Sequence, residues 1–405
     1  MTKPMEGIRI LEVAEHTFVP AASAMLSDLG AEVIKIEPIE RGDAMRGLAS
    51  TGVALVPKDI HVLLHHSNRG KKSLALDLTK DEGLELLYKL AGTADVFLTN
   101  KLPSVRKKLK VDVEQIRAAN PNIIYVRGTG QGERGPDADK GSYDNLAFWA
   151  RSGVAMAVTQ TDAEFVTFPP GPGFGDSIGA MTIAGSIAMA LLHRERTGEA
   201  TEVDVSLLSS AMWAMGQTIG LSVLLEQGWA APPRDMPKMN PLVDYYLTKD
   251  NRWIAMNSMQ AGKYWPEFVT LAGRPELATD ERFKDHASIM ANTAEAGLFV
   301  KEIFASHDLA EWRTILEPFS GQWAVIQNTL EVASDAQTLA NGYLQDLETE
   351  KGAPFQLVAA PMQFDNEPAP AQRAPEFNEH VDDILAELGL DFDAILDLKV
   401  QGVVG

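Results

Sequence analysis

The chain has 405 residues, 45% of them hydrophobic and 23% charged. That balance excludes a largely disordered or fibrous protein and, at roughly 150 residues per domain, points to two or three domains. A net charge of −20 repels nucleic acid and anionic membranes, and the absence of cysteine excludes disulfides, thiolate metal sites and a cysteine nucleophile. Glu6, Arg9 and Glu12 interrupt any signal-peptide core. The longest nearly apolar stretch, 178–192, falls short of the roughly 18 residues of a membrane span. The expectation is a cytoplasmic enzyme without nucleic-acid or membrane partners.

Short β-rich runs alternate with helical ones over the first 130 residues. The pattern predicts strands at 7–13 (GIRILEV), 32–36, 73–78, 95–98 and 122–126, and helices at 21–29, 80–90 and 113–119. Strand, helix, strand at this spacing argues for the α/β class with a parallel sheet covered by helices. It does not fix the strand order. Residues 128–141 read as a long glycine-rich, charged loop, with a helix at 144–150 after it. Three prolines and three glycines in 168–175 (FPPGPGFG) forbid regular structure before an apolar helix over 177–196, stopped by Gly198. A strand at 201–205 and a second apolar helix at 207–225 follow. The composition shift at 230–241 (AAPPRDMPKMNP) marks a linker. Beyond it, a hairpin over 242–257 and amphipathic helices carrying Trp265 and Trp312 form a smaller domain, and strand-like runs from 352 lead into two short helices.

Several motifs compete for function. GQGERG (130–135) matches G-x-G-x-x-G after a strand, but the charged segment that follows offers no helix to hold a pyrophosphate. GDSIG (175–179) matches the nucleophile elbow around Ser177, but Pro169, Pro170 and Pro172 break the strand an elbow needs. Asp176 has two readings. It is a helix N-cap, or it is a reachable carboxylate flanked by Gly171, Gly173 and Gly175, kept ionised by the helix dipole and close to backbone N–H groups that steady an oxyanion. His16, His65, His66, His193, His286 and His380 show no metal-ligand spacing. Two basic clusters, Arg69-Gly70-Lys71-Lys72 and Lys101 with Arg106, Lys107, Lys108 and Lys110, are either solvated faces or phosphate contacts.

Together the segments 7–38 (GIRILEVAEHTFVPAASAMLSDLGAEVIKIEP), 66–78 (HSNRGKKSLALDL), 95–100 (DVFLTN), 175–180 (GDSIGA), 193–208 (HRERTGEATEVDVSLL) and 374–385 (APEFNEHVDDIL) resemble, in order, the landmarks of the class III coenzyme A transferases. This CaiB/BaiF type includes formyl-CoA transferase, carnitine CoA-transferase and α-methylacyl-CoA racemase. The resemblance implies a Rossmann-like large domain with a parallel sheet, plus a smaller α+β domain, in an interlocked homodimer. The implied bounds are 1–225 for the first part of the large domain, 226–330 for the small domain and 331–405 for the return. Acyl-CoA and a free carboxylic acid are the implied substrates, coenzyme A being substrate and product rather than a bound cofactor.

By the same resemblance Asp176 is the catalytic aspartate, with Tyr143 and Asp144 as its active-site companions. Asn68, Arg69, Lys71, Lys72 and Asn100 match CoA-contacting segments, and His16 and Thr17 fall inside the first landmark as further contacts. The family's arginine two residues after the asparagine is Leu102 here, so Lys101 or Arg106 must supply that charge. The racemase branch carries a histidine where this chain has Tyr143, in Gly141-Ser142-Tyr143-Asp144. The implied chemistry is nucleophilic: an aspartyl mixed anhydride, then an aspartyl-CoA thioester. A racemase and a non-catalytic acyl-CoA binder remain as alternatives.

Overall fold

A computed structural model describes residues 2–51, 60–233, 236 and 239–405. Positions 234, 235, 237 and 238 of the expected linker lie outside the described residues. Contacts divide the chain into two compact units, 1–231 with 336–405, and 232–335.

The larger unit is built on β1 (Arg9–Val13), α1 (Phe18–Asp28), β2 (Glu32–Glu37), α2 (Val62–Asn68), β3 (Lys72–Ala75), α3 (Asp81–Thr93), β4 (Val96–Thr99), α4 (Pro103–Lys108), α5 (Val113–Ala119) and β5 (Ile124–Thr129). After a π-helical turn at Asn145–Arg151 come α6 (Val154–Val158), α7 (Phe174–Thr197), β6 (Glu202–Ser206), α8 (Leu207–Ala214) and α9 (Gly216–Leu225). The six strands form one parallel sheet in the order β3-β2-β1-β4-β5-β6.

Successive side chains on a strand point to opposite faces. Ile10, Val33, Val96, Leu98, Ile124 and Val126 therefore pack toward α1 and α7, while Leu11, Ile34, Ile36, Phe97 and Tyr125 pack toward α3 and α5. Both faces are covered, as a parallel sheet requires. The strand order reverses between β1 and β4, and the crevice beyond the carboxyl ends of such strands is where open α/β sheets place their ligands.

Three helix boundaries differ from the pattern in the sequence. α1 begins at Phe18 rather than 21, because Pro20 sits in the first turn, where its missing N–H costs nothing. α7 begins at Phe174, inside the glycine-proline segment, because its first N–H groups are met by Asp144, a residue remote in sequence. The apolar run 207–225 is two helices bent by 72° at Met215, not one.

With 24 residues α7 is long and apolar enough to cross a membrane, which the 15 residues of 178–192 did not indicate. Its row Gly179, Ala180, Ile183, Ala184, Ile187 and Ala190 is nevertheless buried. Gly179 lets Phe18 of α1 come so close that a Cβ there would lie 2.4 Å from the ring.

In the 232–335 unit, β7 (Val243–Leu247), β8 (Trp253–Asn257) and β9 (Trp323–Val325) make an antiparallel sheet. The unit has its own core, in which Trp265 donates to Leu277 O at 3.0 Å and Trp312 to Phe304 O at 2.9 Å. Residues 336–405 return to the larger unit. There α10 (Val381–Glu387) packs beside β3, and α11 (Phe392–Val400) leads to a short antiparallel bridge of Val404 with Leu76. The free edge of β3 is met by the His380 N–H, which donates to Ser73 O at 3.1 Å, and by Asn378 Oδ1, which accepts the Ala75 N–H at 2.7 Å, while just past the strand the Asp77 N–H donates to Val403 O at 2.9 Å.

Candidate active site

Three segments meet at the carboxyl ends of the strands: the β1–α1 turn with His16 and Thr17, Tyr143 and Asp144 at the end of the glycine loop, and the start of α7 with Asp176. Gly173 is the N-cap of α7, with φ +68. A Cβ on it would stand 3.2 Å from Thr17 Cγ2 and 3.8 Å from Asp176 Oδ2, so the threonine methyl abuts the turn that carries the aspartate. His16 and Tyr143 touch edge to face, with ring centroids 5.6 Å apart.

Asp176 is not a cap. It occupies the third position of the helix, and among the described residues its carboxylate accepts no hydrogen bond. Capping falls to Asp144, which accepts the Gly175 N–H at 3.0 Å and also faces the N–H groups of Phe174 and Asp176. Gly175 is required for this approach, because a Cβ there would lie 2.3 Å from Asp144 Oδ1 and 2.2 Å from Phe148 Cγ. The dipole argument for an ionised Asp176 is therefore corrected. With the helix donors taken, burial and then the Asp144 charge push the Asp176 carboxyl up to about 7. Asp144, buried, is also raised, its N–H partners offsetting part of the effect. Ser177 Oγ donates back to Gly173 O at 2.8 Å, a local helix bond that leaves no elbow nucleophile.

The first basic cluster lies elsewhere. Lys72 opens β3 level with Ile34 of β2 and Leu11 of β1, so the segment 68–72 enters the sheet at the amino end of β3 alone. Lys71 is 3% exposed and its ammonium donates to Glu12 at 2.9 Å, Pro20 O at 2.9 Å and Asn68 Oδ1 at 3.1 Å. Arg69 is buried against Asp28 at 2.8 Å and donates to Val358 O at 2.9 Å. Lys72 pairs with Glu32 at 2.5 Å. Asn68, Arg69 and Lys71 are therefore engaged inside the fold, which runs against their reading as CoA contacts, whereas Lys72 is half exposed.

The second cluster divides. Arg106 is buried, held by Glu133 at 2.6 Å and Asp112 at 3.2 Å, and Lys101 pairs with Glu15. Neither is a free replacement for the arginine missing at Leu102. Asn100 stands at the crevice, but its amide is taken at both ends: Oδ1 accepts the Glu15 N–H at 3.2 Å and Nδ2 donates to Glu15 O at 2.7 Å. Lys107 and Lys108 on α4, with Arg134 and Lys140 on the glycine loop, are exposed and make no ion pair among the described residues. Ser104 ties the two segments together by donating its N–H to Asp139 at 3.0 Å. Beside these, a cleft over the carboxyl ends of β1 to β3 is lined by Val13, Glu37, Glu40, Asp77, Thr79 and Lys101. Among the described residues no group of three or more acidic or histidine side chains is placed to hold a metal ion.

The sequence reading missed the capping role of Asp144, whereas Phe174, Phe148 and Trp149, which the sequence suggests with Met239 as the lining of an acyl pocket, pack together at the α7 start. Phe174 meets Phe148 and Trp149 edge to face, at 6.3 and 6.4 Å, and Trp149 donates to Thr167 O at 2.8 Å.

The sequence profile of CoA-transferase family III matches residues 5–381. Among relatives, (R)-2-hydroxy-4-methylpentanoate CoA-transferase of Clostridioides difficile is 31% identical over 402 residues, covering 99% of each chain. Cinnamoyl-CoA:phenyllactate CoA-transferase of Clostridium sporogenes is 29% identical, covering 98% of this chain and 96% of its own. Among solved structures, a CaiB/BaiF family protein from Brucella suis superposes with a TM-score of 0.82 at 26% identity, covering 96% of this chain and all of its own.

Proposed function

This chain belongs to CoA-transferase family III, enzymes that move CoA between an acyl-CoA and a carboxylic acid, and on that premise we propose that Asp176 is the nucleophile of the exchange. The observation that carries the reading is a half-buried carboxylate in the first turn of α7 with no hydrogen-bond partner among the described residues, its capping duty done by Asp144. An anion left without donors is a stronger nucleophile than a solvated one, and a carboxyl pushed up to about 7 is about half ionised at neutral pH.

In the first step an Asp176 oxygen attacks the thioester carbonyl, the C–S bond breaks, and CoA leaves as the thiolate. The thiolate then attacks the aspartyl carbonyl of the mixed anhydride and releases the donor acid as its carboxylate, leaving an aspartyl-CoA thioester. The acceptor carboxylate attacks that thioester, and the two steps run in reverse to release the new acyl-CoA. No net proton is needed. The donors of α7 being occupied, the N–H groups in the first turn of α1, at Phe18 and Val19, are the ones we assign to the developing oxyanions.

The cleft at Val13, Glu37 and Thr79 receives the nucleotide in this reading, and the exposed Lys107, Lys108, Arg134 and Lys140 meet the phosphates. A branched or aromatic monocarboxylic acyl group fits best. Two relatives are named for such acids, the α7 start is walled by aromatic rings, and both ionisable groups nearest the reaction are acidic. A racemase needs a second acid–base group, and Asp144 is committed to helix N–H groups.

We also read a homodimer, because α7, α8 and α9 expose Met189, Trp213, Val223 and Leu224, with Trp213 87% exposed. In this reading a second copy covers them, interlocked as in the family. The cytoplasm is our proposed location, consistent with a chain free of cysteine.

The test is mass spectrometry of the protein mixed with a panel of acyl-CoAs, cinnamoyl-CoA and 4-methylpentanoyl-CoA included, followed by peptide mapping. Mass added at Asp176 is expected. Labelled adducts elsewhere, or α-hydrogen exchange in heavy water without any acceptor acid, would overturn the assignment.

A further inference from the structure

The β1–α1 turn is held in an unusual way. His16 has φ +67, a left-handed conformation that a bulky residue keeps only when its surroundings impose it. Around it the backbone is gripped by side chains from two neighbouring strand ends. The Lys35 ammonium donates to Ala14 O at 2.8 Å, and the Asn100 amide brackets Glu15, taking its N–H and donating to its carbonyl. Asp43 Oδ1 accepts the His16 N–H at 2.9 Å and the Met45 N–H at 2.8 Å, while its other oxygen lies 2.8 Å from Lys35 Nζ. Lys35 and Asp43 are wholly buried, and Lys35 also bonds Glu12 at 2.7 Å, so the grip is anchored in a closed charge network. Residues 14, 15 and 16 thus each have a backbone polar group tied to a side chain remote in sequence.

We propose that Asp43, Lys35 and Asn100 are positioning residues for the transfer reaction: they hold His16 left-handed so that Thr17 and the first N–H groups of α1 stand against the Gly173–Asp176 turn. This rests on the reading of Asp176 as nucleophile. The network is far more elaborate than a turn needs for burial alone. It also accounts for a buried Asp–Lys pair, which a well-packed apolar pair would match in stability. A reacting carbonyl displaced by a fraction of an ångström from its donors loses rate rather than binding.

The full-length enzyme is tested as Asp43→Ala and, at a half-exposed site more tolerant of change, Asn100→Ala, with the best donor of the panel above or cinnamoyl-CoA. Thermal unfolding is followed in parallel. The expected result is a kcat lower by roughly 10–100-fold, with KM for the acyl-CoA within about threefold, in protein that remains folded. The strain itself supplies a second readout. Glycine adopts positive φ freely, so His16→Gly should cost less in the Asp43→Ala background than in the parent, giving a non-additive cycle. Unchanged kcat in folded Asp43→Ala and Asn100→Ala, or strict additivity with His16→Gly, would overturn the proposal. If Asp176→Asn transfers normally the nucleophile reading fails. If that variant is dead while the Asp43 and Asn100 variants are normal, only the present inference fails.

Discussion

Two charged regions of the larger unit treat their acids in opposite ways. In the framework around β1 to β3, Arg9, Lys72 and Arg69 each meet a carboxylate, and Lys71 and Lys35 share the buried Glu12. At the start of α7, Asp144 and Asp176 stand together with no cation paired to either among the described residues, and the Asp176 carboxyl rises to about 7. The first region pairs its charges and is built for rigidity. The second withholds partners from an acid, a cost in stability that leaves a reactive group. A cluster of like charges in a sequence says little about function until its partners are counted.

The sharpest way to break this contrast is to remove the unpaired carboxylate. Asp176→Asn should lower kcat by at least ~10³-fold, because a covalent step is lost and not merely weakened. Steady-state transfer of label from acyl-CoA to acceptor acid reads it, and turnover within tenfold of the parent would be incompatible with the contrast.

In the paired framework, Lys71→Ala leaves Glu12 buried without one of its two cations. It should destabilise the fold by about 3–5 kcal/mol, seen as a lower denaturant midpoint, while CoA affinity in the folded fraction stays near that of the parent. Weakened CoA binding without lost stability would return Lys71 to a ligand role.

Glu12 in the paired framework and Asp176 at the start of α7 should also differ in the sign of a stability change, since Lys35 and Lys71 hold the first carboxyl low despite its burial while the second is raised. A carboxyl raised in the folded state binds its proton more tightly there than in the unfolded chain. The stability this adds is complete below the unfolded value near 3.9 and is lost as pH rises through about 7. Asp176→Asn should therefore be more stable than the parent at pH 8, on the order of 2 kcal/mol, with the advantage gone by about pH 4. Melting curves at the two pH values decide it, and an Asn variant no more stable at pH 8 would show that Asp176 is not strained. The same titration predicts a kcat/KM that climbs with pH through about 7 and then levels, since the anion is the nucleophile.

The smallest effect concerns the exposed cations. Lys107→Ala with Lys108→Ala should raise KM for acyl-CoA about threefold to tenfold at low salt and less at high salt, where surface charges are screened. A KM indifferent to both salt and substitution would remove these lysines from the phosphate site.

Much of the scaffold was legible because it is local. The α5 boundaries, 113–119, follow from an Asp112 cap and apolar spacing, and the first five strands follow from short β-branched runs. Asp176 stood out through its glycines and the order of the landmarks around it. What could not be read depends on residues remote in sequence. Nothing near Phe174 announces that Asp144, about 30 positions earlier, starts the helix. Nothing in Arg69-Gly70-Lys71-Lys72 tells that Glu12, Asp28 and Glu32 wait for those cations. The bend at Met215 was hidden because both flanking helices carry apolar residues on most faces, with only scattered Ser, Thr and Gln to mark a period. Partner counting is a three-dimensional quantity.

The cover on the edge of β3 sets a problem of timing. Strand β3 is complete at residue 75, yet the segments that cover its open edge, 378–380 and 403–405, are synthesised roughly 300 to 330 residues later. At ribosomal speeds of 5–20 residues per second that interval is about 16–65 s. Throughout it, the growing polypeptide displays an uncovered strand edge, the feature that most readily recruits another chain. Lys72, the charged residue that opens the strand, is the only gatekeeper the nascent edge carries within 72–75. Yield during expression is therefore set in part by how crowded the translating polysomes are, and holdase chaperones acting on the half-made chain would raise it without altering the finished enzyme.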